Sequence, residues 1–250
     1  MAADGKLGAG EAGMRRLTCL ALSGFLLLGS LGGARAQSQP VDIELLLAVD
    51  SSSSIDRNEF DQQMRGLAEA FRSPLVGSAI EALGQSGGVA VALMQWSGRD
   101  HQHLSAPWRL LRSREDAEAF ADLLDSTPRF IDGGSTALGE ALRVGLQTLT
   151  GNLYDGRRLV IDVSGDGISN EGEEPAVWRD RLVAAGITIN ALAILNEDPN
   201  LLEIYREQVI GGPQAFALSA VDYEAYGAAI EYKLLQELGP PQFVQDRSPR

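Results

Sequence analysis

Val41–Ser54 reads V-D-I-E-L-L-L-A-V-D-S-S-S-S, and the junction between its two halves decides how the chain folds. The first half is an apolar run that stops at Asp50, the signature of a strand buried on both faces, as in a parallel sheet. The second half places a carboxylate and then hydroxyls where that strand ends. In open α/β sheets the carboxyl ends of the strands border the ligand crevice. Asp50, Ser52 and Ser54 alternate, so a tight extended loop could turn their oxygens toward one centre. Hard oxygen donors of this kind suit Mg²⁺, Mn²⁺ or Ca²⁺ rather than zinc. Taken alone, however, four consecutive serines read more simply as a flexible surface loop.

Working outward, Ile55–Arg72 is amphipathic, with Phe60, Met64, Leu67, Ala68 and Phe71 at helical spacing and Asp56 and Glu59 in the first turn. Gly87–Trp96 is a second buried strand. His101–Leu111 alternates more loosely, as a short edge strand antiparallel to its neighbour would, and Arg114–Leu124 is helical. Asp132–Thr150 opens on a glycine turn and continues as a helix with Leu138, Leu142, Leu146 and Leu149 on its apolar face; Thr136 stands where an N-cap would. Arg157–Gly167 is a strand running into an acidic turn at Asp166. Then come a helix over Glu173–Ala185, a strand over Gly186–Leu195, a helix over Asn200–Val209, a short strand over Gln214–Leu218 and a last helix over Val221–Leu238. Alternation of strands and helices predicts an α/β fold: a doubly wound, mostly parallel sheet of about six strands flanked by helices on both faces.

Asp50/Ser52/Ser54, Thr136 and Asp166 therefore fall at three points that such a sheet brings to one crevice. Together they outweigh the flexible-loop reading of the serines. The motifs D-x-S-x-S at Asp50–Ser54, G-G-S-T-A-L-G-E-A-L around Thr136 and V-S-G-D-G at Asp166 resemble the von Willebrand factor type A (vWA) domain. The resemblance spans about Val41 to Leu238 and implies that family's metal-ion-dependent adhesion site. Carried over residue by residue, Ser52, Ser54 and Thr136 bind the cation directly or nearly so, and Asp50 and Asp166 bind directly or through water. The V-S-G-D-G-I-S-N run in a cysteine-free secreted form also resembles an uncharacterised group of bacterial secreted proteins of this class. Ser135 stands where the second glycine often leads straight into the threonine, so the alignment could slip by one there.

The chemistry agrees. An octahedral Mg²⁺ takes six oxygens at about 2.0–2.1 Å, and these five side chains leave a position for a partner's carboxylate. The expected function is a cation-dependent protein-binding module whose ligand presents an acidic residue, not an enzyme. The alternatives are a structural domain merely stabilised by its ion and, less favoured, a hydrolase.

Composition sets the class. With 44% hydrophobic and 22% charged residues the chain is an ordinary globular protein. Its formal charge is −13; residues 1–36 hold Lys6, Arg15, Arg16 and Arg35 against Asp4 and Glu11, a net of +2, which leaves −15 on the rest. Such a surface disfavours nucleic acid and anionic membranes and favours cations or basic partners. Met14–Ala36 carries two arginines, an apolar stretch and an Ala34-Arg35-Ala36 ending, the pattern of a secretory signal cleaved after Ala36. The expected organisation is an N-terminal extension and signal over 1–36, the vWA-like domain over 41–239 and a polar tail over 240–250. Translation would start at Met1 or Met14, and the mature chain would be secreted or periplasmic with no integral membrane segment. Cys19, the only cysteine, lies inside the leader, so the mature chain can form no disulfide.

Rival motifs fare poorly. Asp162–Glu173 nearly fits a calcium loop of the EF-hand, with Asp162, Ser164, Asp166, Gly167 and Glu173 in place, but strand rather than helix precedes it. Asp162 then belongs to the strand, its side chain holding a neighbouring loop. G-x-S-x-G, the phosphate loop and G-x-G-x-x-G are absent. His101 and His103 lack a third ligand nearby in sequence, and a serine hydrolase built on Ser52 or Ser54 lacks a placed histidine.

Overall fold

In the computed structural model, which describes residues 38–239, the opening strand is the spine of the molecule. The elements run β1 (Gln39–Asp50), α1 (Arg57–Arg72), α2 (Pro74–Gly84), β2 (Val89–Trp96), β3 (Gln102–Leu111), α3 (Arg114–Ser126), α4 (Leu138–Thr150), β4 (Tyr154–Gly165), α5 (Pro175–Ala184), β5 (Ile187–Ile194), α6 (Leu201–Gln208), β6 (Ala217–Ala220) and α7 (Tyr226–Leu238). The expected leader and tail lie outside the described residues.

The six strands order as β3-β2-β1-β4-β5-β6, all parallel except β3, which pairs antiparallel with β2. β1 lies in the middle of the order, between β2 and β4, and its Leu45–Val49 run is apolar on both faces. Ile43, Leu45, Leu47 and Val49 pack into one core with residues of α1, α2, α3 and α7. Leu46 and Ala48 pack into the other with Leu138, Leu142 and Leu149 of α4, Leu182 of α5 and Leu201 and Tyr205 of α6. The period of two sorts one strand's side chains between two layers. β3, at the edge, tolerates Pro107 and register shifts against β2.

The order also fixes the site. The chain leaves β1 toward β2 and β3, then returns to the opposite side of β1 as β4. A crevice opens at such a reversal, at the carboxyl ends of the strands. Asp50 ends β1, and Asp166 follows the last residue of β4.

Several boundaries differ from the sequence expectation. The first helix starts at Arg57 rather than Ile55, because Asp56 serves as N-cap: its side chain accepts from Glu59 N while Glu59 accepts from Asp56 N. α2 had no counterpart in the sequence reading. It is short, opens with Pro74 behind the Ser73 cap, and buries only Val76, Gly77 and Ile80. The strand expected at Gln214–Leu218 forms instead at Ala217–Ala220, since Gln214 has φ 59°, outside any strand conformation. The last helix starts at Tyr226 rather than Val221, and the segment it gives up carries Tyr223 into the crevice.

Candidate metal centre

The serine loop is held from three sides. Ser51 N donates to Trp96 O at the end of β2 (2.8 Å). Ser52 N donates to Asp50 Oδ1 (2.8 Å), a side-chain-to-backbone curl that turns the chain back on itself. Arg129 Nη2 reaches the carbonyls of Ser51 (3.0 Å), Ser52 (3.3 Å) and Ile55 (2.9 Å). With those carbonyls bound to the guanidinium, the hydroxyls turn to the other side. Ser52 Oγ and Ser54 Oγ lie 3.2 Å apart, and Ser54 Oγ donates to Asp166 Oδ1 at 2.7 Å. Tyr223 Oη donates to the other oxygen, Asp166 Oδ2, at 2.9 Å.

The glycine turn brings Thr136 to the same place. Gly133 and Gly134 have φ of 82° and 104°, a conformation that glycine adopts without strain. This lets Gly133 N bond Ser51 O (3.2 Å) while Gly134 O accepts from Ser53 N (3.0 Å) and Gly134 N donates to Ser53 Oγ (2.8 Å). Asn170 then clamps Thr136: Thr136 N donates to Asn170 Oδ1 and Asn170 N donates to Thr136 O, both at 2.9 Å. A methyl group placed on Gly167 would sit 3.8 Å from Thr136 Oγ1 and 3.9 Å from Ser54 Oγ, so the two hydroxyls share one small space beside that glycine. Thr136 is not the N-cap its position suggested. Helix α4 begins after Ala137 with no side-chain cap, which leaves the Thr136 hydroxyl free of the helix end.

All five expected residues meet at this crevice, and Thr136 rather than Ser135 is the buried member of its pair. Asp50 and Asp166 are both 0% exposed. Burial, opposed by the Ser52 amide and reinforced by the charge of Asp166, pushes the Asp50 carboxyl up to about 7. Burial and the two carboxylates likewise raise the Tyr205 hydroxyl well above its ordinary value. Asp50 Oδ2 is buried with no hydrogen-bond partner. A buried carboxylate oxygen without a donor is costly, and it sits at the end of the strand that leads into the serine hydroxyls, within the electrostatic influence of Asp166. That donor set fits a hard divalent ion.

Four residues of this arrangement carried no assigned role in the sequence reading. Arg129 and Tyr223 lie outside every motif, and Tyr205, which donates to Gly167 O (3.1 Å), falls on an ordinary helix. Asn170 was visible within V-S-G-D-G-I-S-N, but nothing in that run marked its carbonyl as the acceptor of the Thr136 amide. One other expectation resolves differently. Asp162 holds no loop; it points to Lys233 of α7, 2.5 Å away. His103 packs against Phe130, ring centroids 4.3 Å apart. Among the described residues no three histidine, cysteine, aspartate or glutamate side chains gather as a metal site.

The family model described as protein of unknown function (DUF1194) matches residues 40–242. The chain belongs to that family. No curated protein matches it by sequence. Among solved structures, it is similar to proximal thread matrix protein 1 of the mussel byssus, solved with a zinc-occupied MIDAS motif (19% identity, TM-score 0.55, 80% of this chain and 48% of that one). It is also similar to the pilus adhesin SpaC of Lactobacillus rhamnosus GG in its open conformation (15%, 0.56, 81% and 30%), and to the vWF domain of the type V pili tip protein Mfa5 of Porphyromonas gingivalis (10%, 0.54, 81% and 98%). The DUF1194 chain thus spans about half the length of the mussel protein and nearly all of the Mfa5 domain. At these identities the likeness shows the fold alone, a vWA-like α/β fold. No helix among the described residues is long and apolar enough to cross a membrane.

Proposed function

We propose that this DUF1194 protein is a secreted or periplasmic protein-binding module that works through one divalent cation. Ser52, Ser54 and Thr136 would hold the ion through their hydroxyls, and Asp50 and Asp166 directly or through water. The observation that carries the reading is the unpartnered, buried Asp50 Oδ2 at the strand end that leads into the loop whose Ser54 hydroxyl bonds Asp166. When bound, the ion supplies positive charge at the mouth of the crevice, which favours an acidic side chain on a partner. The chain's own residues set that up. Arg129 fixes the loop, Asn170 fixes Thr136, and Tyr223 occupies one oxygen of Asp166 so that the other faces the hydroxyls.

The adhesive and matrix proteins that share the fold support a binding role over an enzymatic one. The zinc in the mussel relative's motif widens the candidate ions beyond Mg²⁺, Mn²⁺ and Ca²⁺. The test is capture of envelope proteins on immobilised protein in Mg²⁺, with release by EDTA. Capture that EDTA reverses and Asp166→Ala abolishes supports adhesion. Ion-dependent stability with no ion-dependent capture would instead support the structural reading.

A further inference from the structure

On the α7 side of the sheet, away from the carboxyl ends of the strands, lies a second polar cluster that the cation site does not use. Lys233 of α7 is 0% exposed; its Nζ lies 2.5 Å from Asp162 Oδ1 on β4 and 2.7 Å from Glu237 Oε1 one helical turn on. Asn190 of β5 donates to the same Glu237 oxygen (2.9 Å) and accepts from Phe216 N (3.1 Å). The Phe216 ring lies 5.5 Å from Nζ. Neither oxygen of Asp162 makes a hydrogen bond of good geometry, and Glu237 Oε2 has none.

As a mere fastening this is a poor design. A buried ion pair is often no better than apolar residues of the same volume, and a second carboxylate on one ammonium adds uncompensated charge. Moreover, the chain has only two lysines, Lys6 and Lys233, and uses arginine for every other cation. Arginine stays protonated in proteins, whereas lysine can lose its proton in a buried site and act as a nucleophile. The chain's single lysine among the described residues thus sits in the core against the Asp162 carboxyl group.

We propose that Lys233 and Asp162 form an intramolecular isopeptide bond, with Glu237 as the acid–base group. Burial, reinforced by the charge of Glu237 and opposed by Lys233, holds the Asp162 carboxyl well above its ordinary range, which favours the protonated form that the reaction needs. The Lys233 ammonium gives a proton to Glu237, and the freed amine adds to Asp162 Cγ. The C–O bond to the Asp162 hydroxyl breaks as Glu237 protonates the leaving oxygen. Glu237 then takes the proton that the new amide nitrogen sheds. One C–N bond forms, one water leaves, and nothing is oxidised or reduced. The positions of the groups supply most of the advantage, since fixing reactants in contact replaces a bimolecular encounter. Asp162 is the acceptor because it touches Nζ and has no competing donor; Glu237 and Asn190 are already bonded to each other. The bond would tie the last helix to a central strand in a domain whose described residues contain no cysteine.

The test is tryptic digestion of the denatured full chain followed by tandem mass spectrometry. The expected product is Leu159–Arg179 joined to Glu207–Arg247, lighter than the two peptides together by one water and uncut at Lys233. The joined species should be absent from Lys233→Met and strongly reduced in Glu237→Gln. Free Leu159–Arg179 with cleavage after Lys233 in the wild type overturns the proposal. So does loss of water within Glu207–Arg247 alone (closure on Glu237 itself), or loss of ammonia instead of water, which would mean reaction at an asparagine. Because the wild-type peptides decide the matter, misfolding of a variant leaves the result intact.

Discussion

Ser54 Oγ donates to Asp166 Oδ1 at 2.7 Å, although 112 positions separate the two residues in the chain. One residue is a loop hydroxyl after β1, the other a carboxylate after β4, and only the pairing of those two strands makes them neighbours. If a divalent ion belongs in this crevice, it competes for both oxygens. Magnesium at a hundredfold excess over its Kd then stabilises the folded state by about 2.7 kcal/mol, or roughly 5–10 °C in Tm for a domain of this size. The shift should vanish with EDTA and in Asp166→Ala. Equal melting curves in Mg²⁺ and EDTA would exclude the ion site outright.

Ser54→Ala separates the ion from the fold. Ser54 is exposed, so losing its bond to Asp166 should lower ion-free stability by only about 1 kcal/mol. Removing one ligand of five should nonetheless weaken the ion-induced Tm shift by more than half. A Ser54→Ala protein that responds to Mg²⁺ as the wild type does would remove this serine from the ligand set.

Much of this geometry was legible in the chain. The β1 run could only be a doubly buried strand, and each of the three ligand-bearing stretches follows a strand or a glycine turn. What stayed hidden was whatever depends on a partner far away in sequence. Arg129 reads as a loop arginine until its carbonyl acceptors at Ser51, Ser52 and Ile55 are seen. Tyr223 sat inside a stretch, Val221–Leu238, that read as helix. Lys233 and Glu237 are spaced like a surface ion pair on a helix; only the packing of α7 on β4 and β5 shows them to be buried. α2 escaped because its small residues give no strong apolar stripe.

Arg129→Met tests whether the loop is set from outside the site. The substitution keeps the apolar stem under Phe60, whose ring the guanidinium covers at 5.3 Å, but frees the carbonyls of Ser51, Ser52 and Ile55. A charge-assisted hydrogen bond contributes about 1.5–3 kcal/mol, so the expected loss is about 2–4 kcal/mol of stability, read by urea unfolding. The ion-induced Tm shift should fall as well, although Arg129 supplies no ligand. A stability loss with an unchanged ion response would show that the loop keeps its shape without the arginine.

The ion-free protein should lose stability as pH rises through neutrality. Asp50 has its carboxyl raised from 3.8 to about 7 in the folded chain. Between those values the folded state binds more protons than the unfolded one, so this group's contribution is fully present below about pH 4 and is lost as pH passes 7. A bound cation replaces that proton, so the Mg²⁺-induced Tm shift should grow from pH 5 to pH 8. Melts in EDTA and in Mg²⁺ across that range check both slopes; a flat EDTA profile in the wild type that matches Asp50→Asn would refute the assignment.

The last prediction concerns how α4 is seated. A methyl group on Gly139 would lie 2.0 Å from the carbonyl oxygen of Glu173, a backbone atom just ahead of α5. Neither side can yield by rotating a side chain, so Gly139→Ala must push α4 away from the loop that carries Asn170. Overpacking of this kind costs about 1–3 kcal/mol, against a gain in helix propensity of about 1 kcal/mol. The clash wins because it is with backbone, and the expected result is a Tm several degrees lower. The displacement also acts on function: Thr136 is held by Asn170 on one side and leads into α4 on the other, so moving the helix moves its hydroxyl away from Ser54. Mg²⁺ affinity by calorimetry should therefore fall in Gly139→Ala, and a stabilised variant with unaltered affinity would mean that the close approach of α4 to Glu173 does not exist.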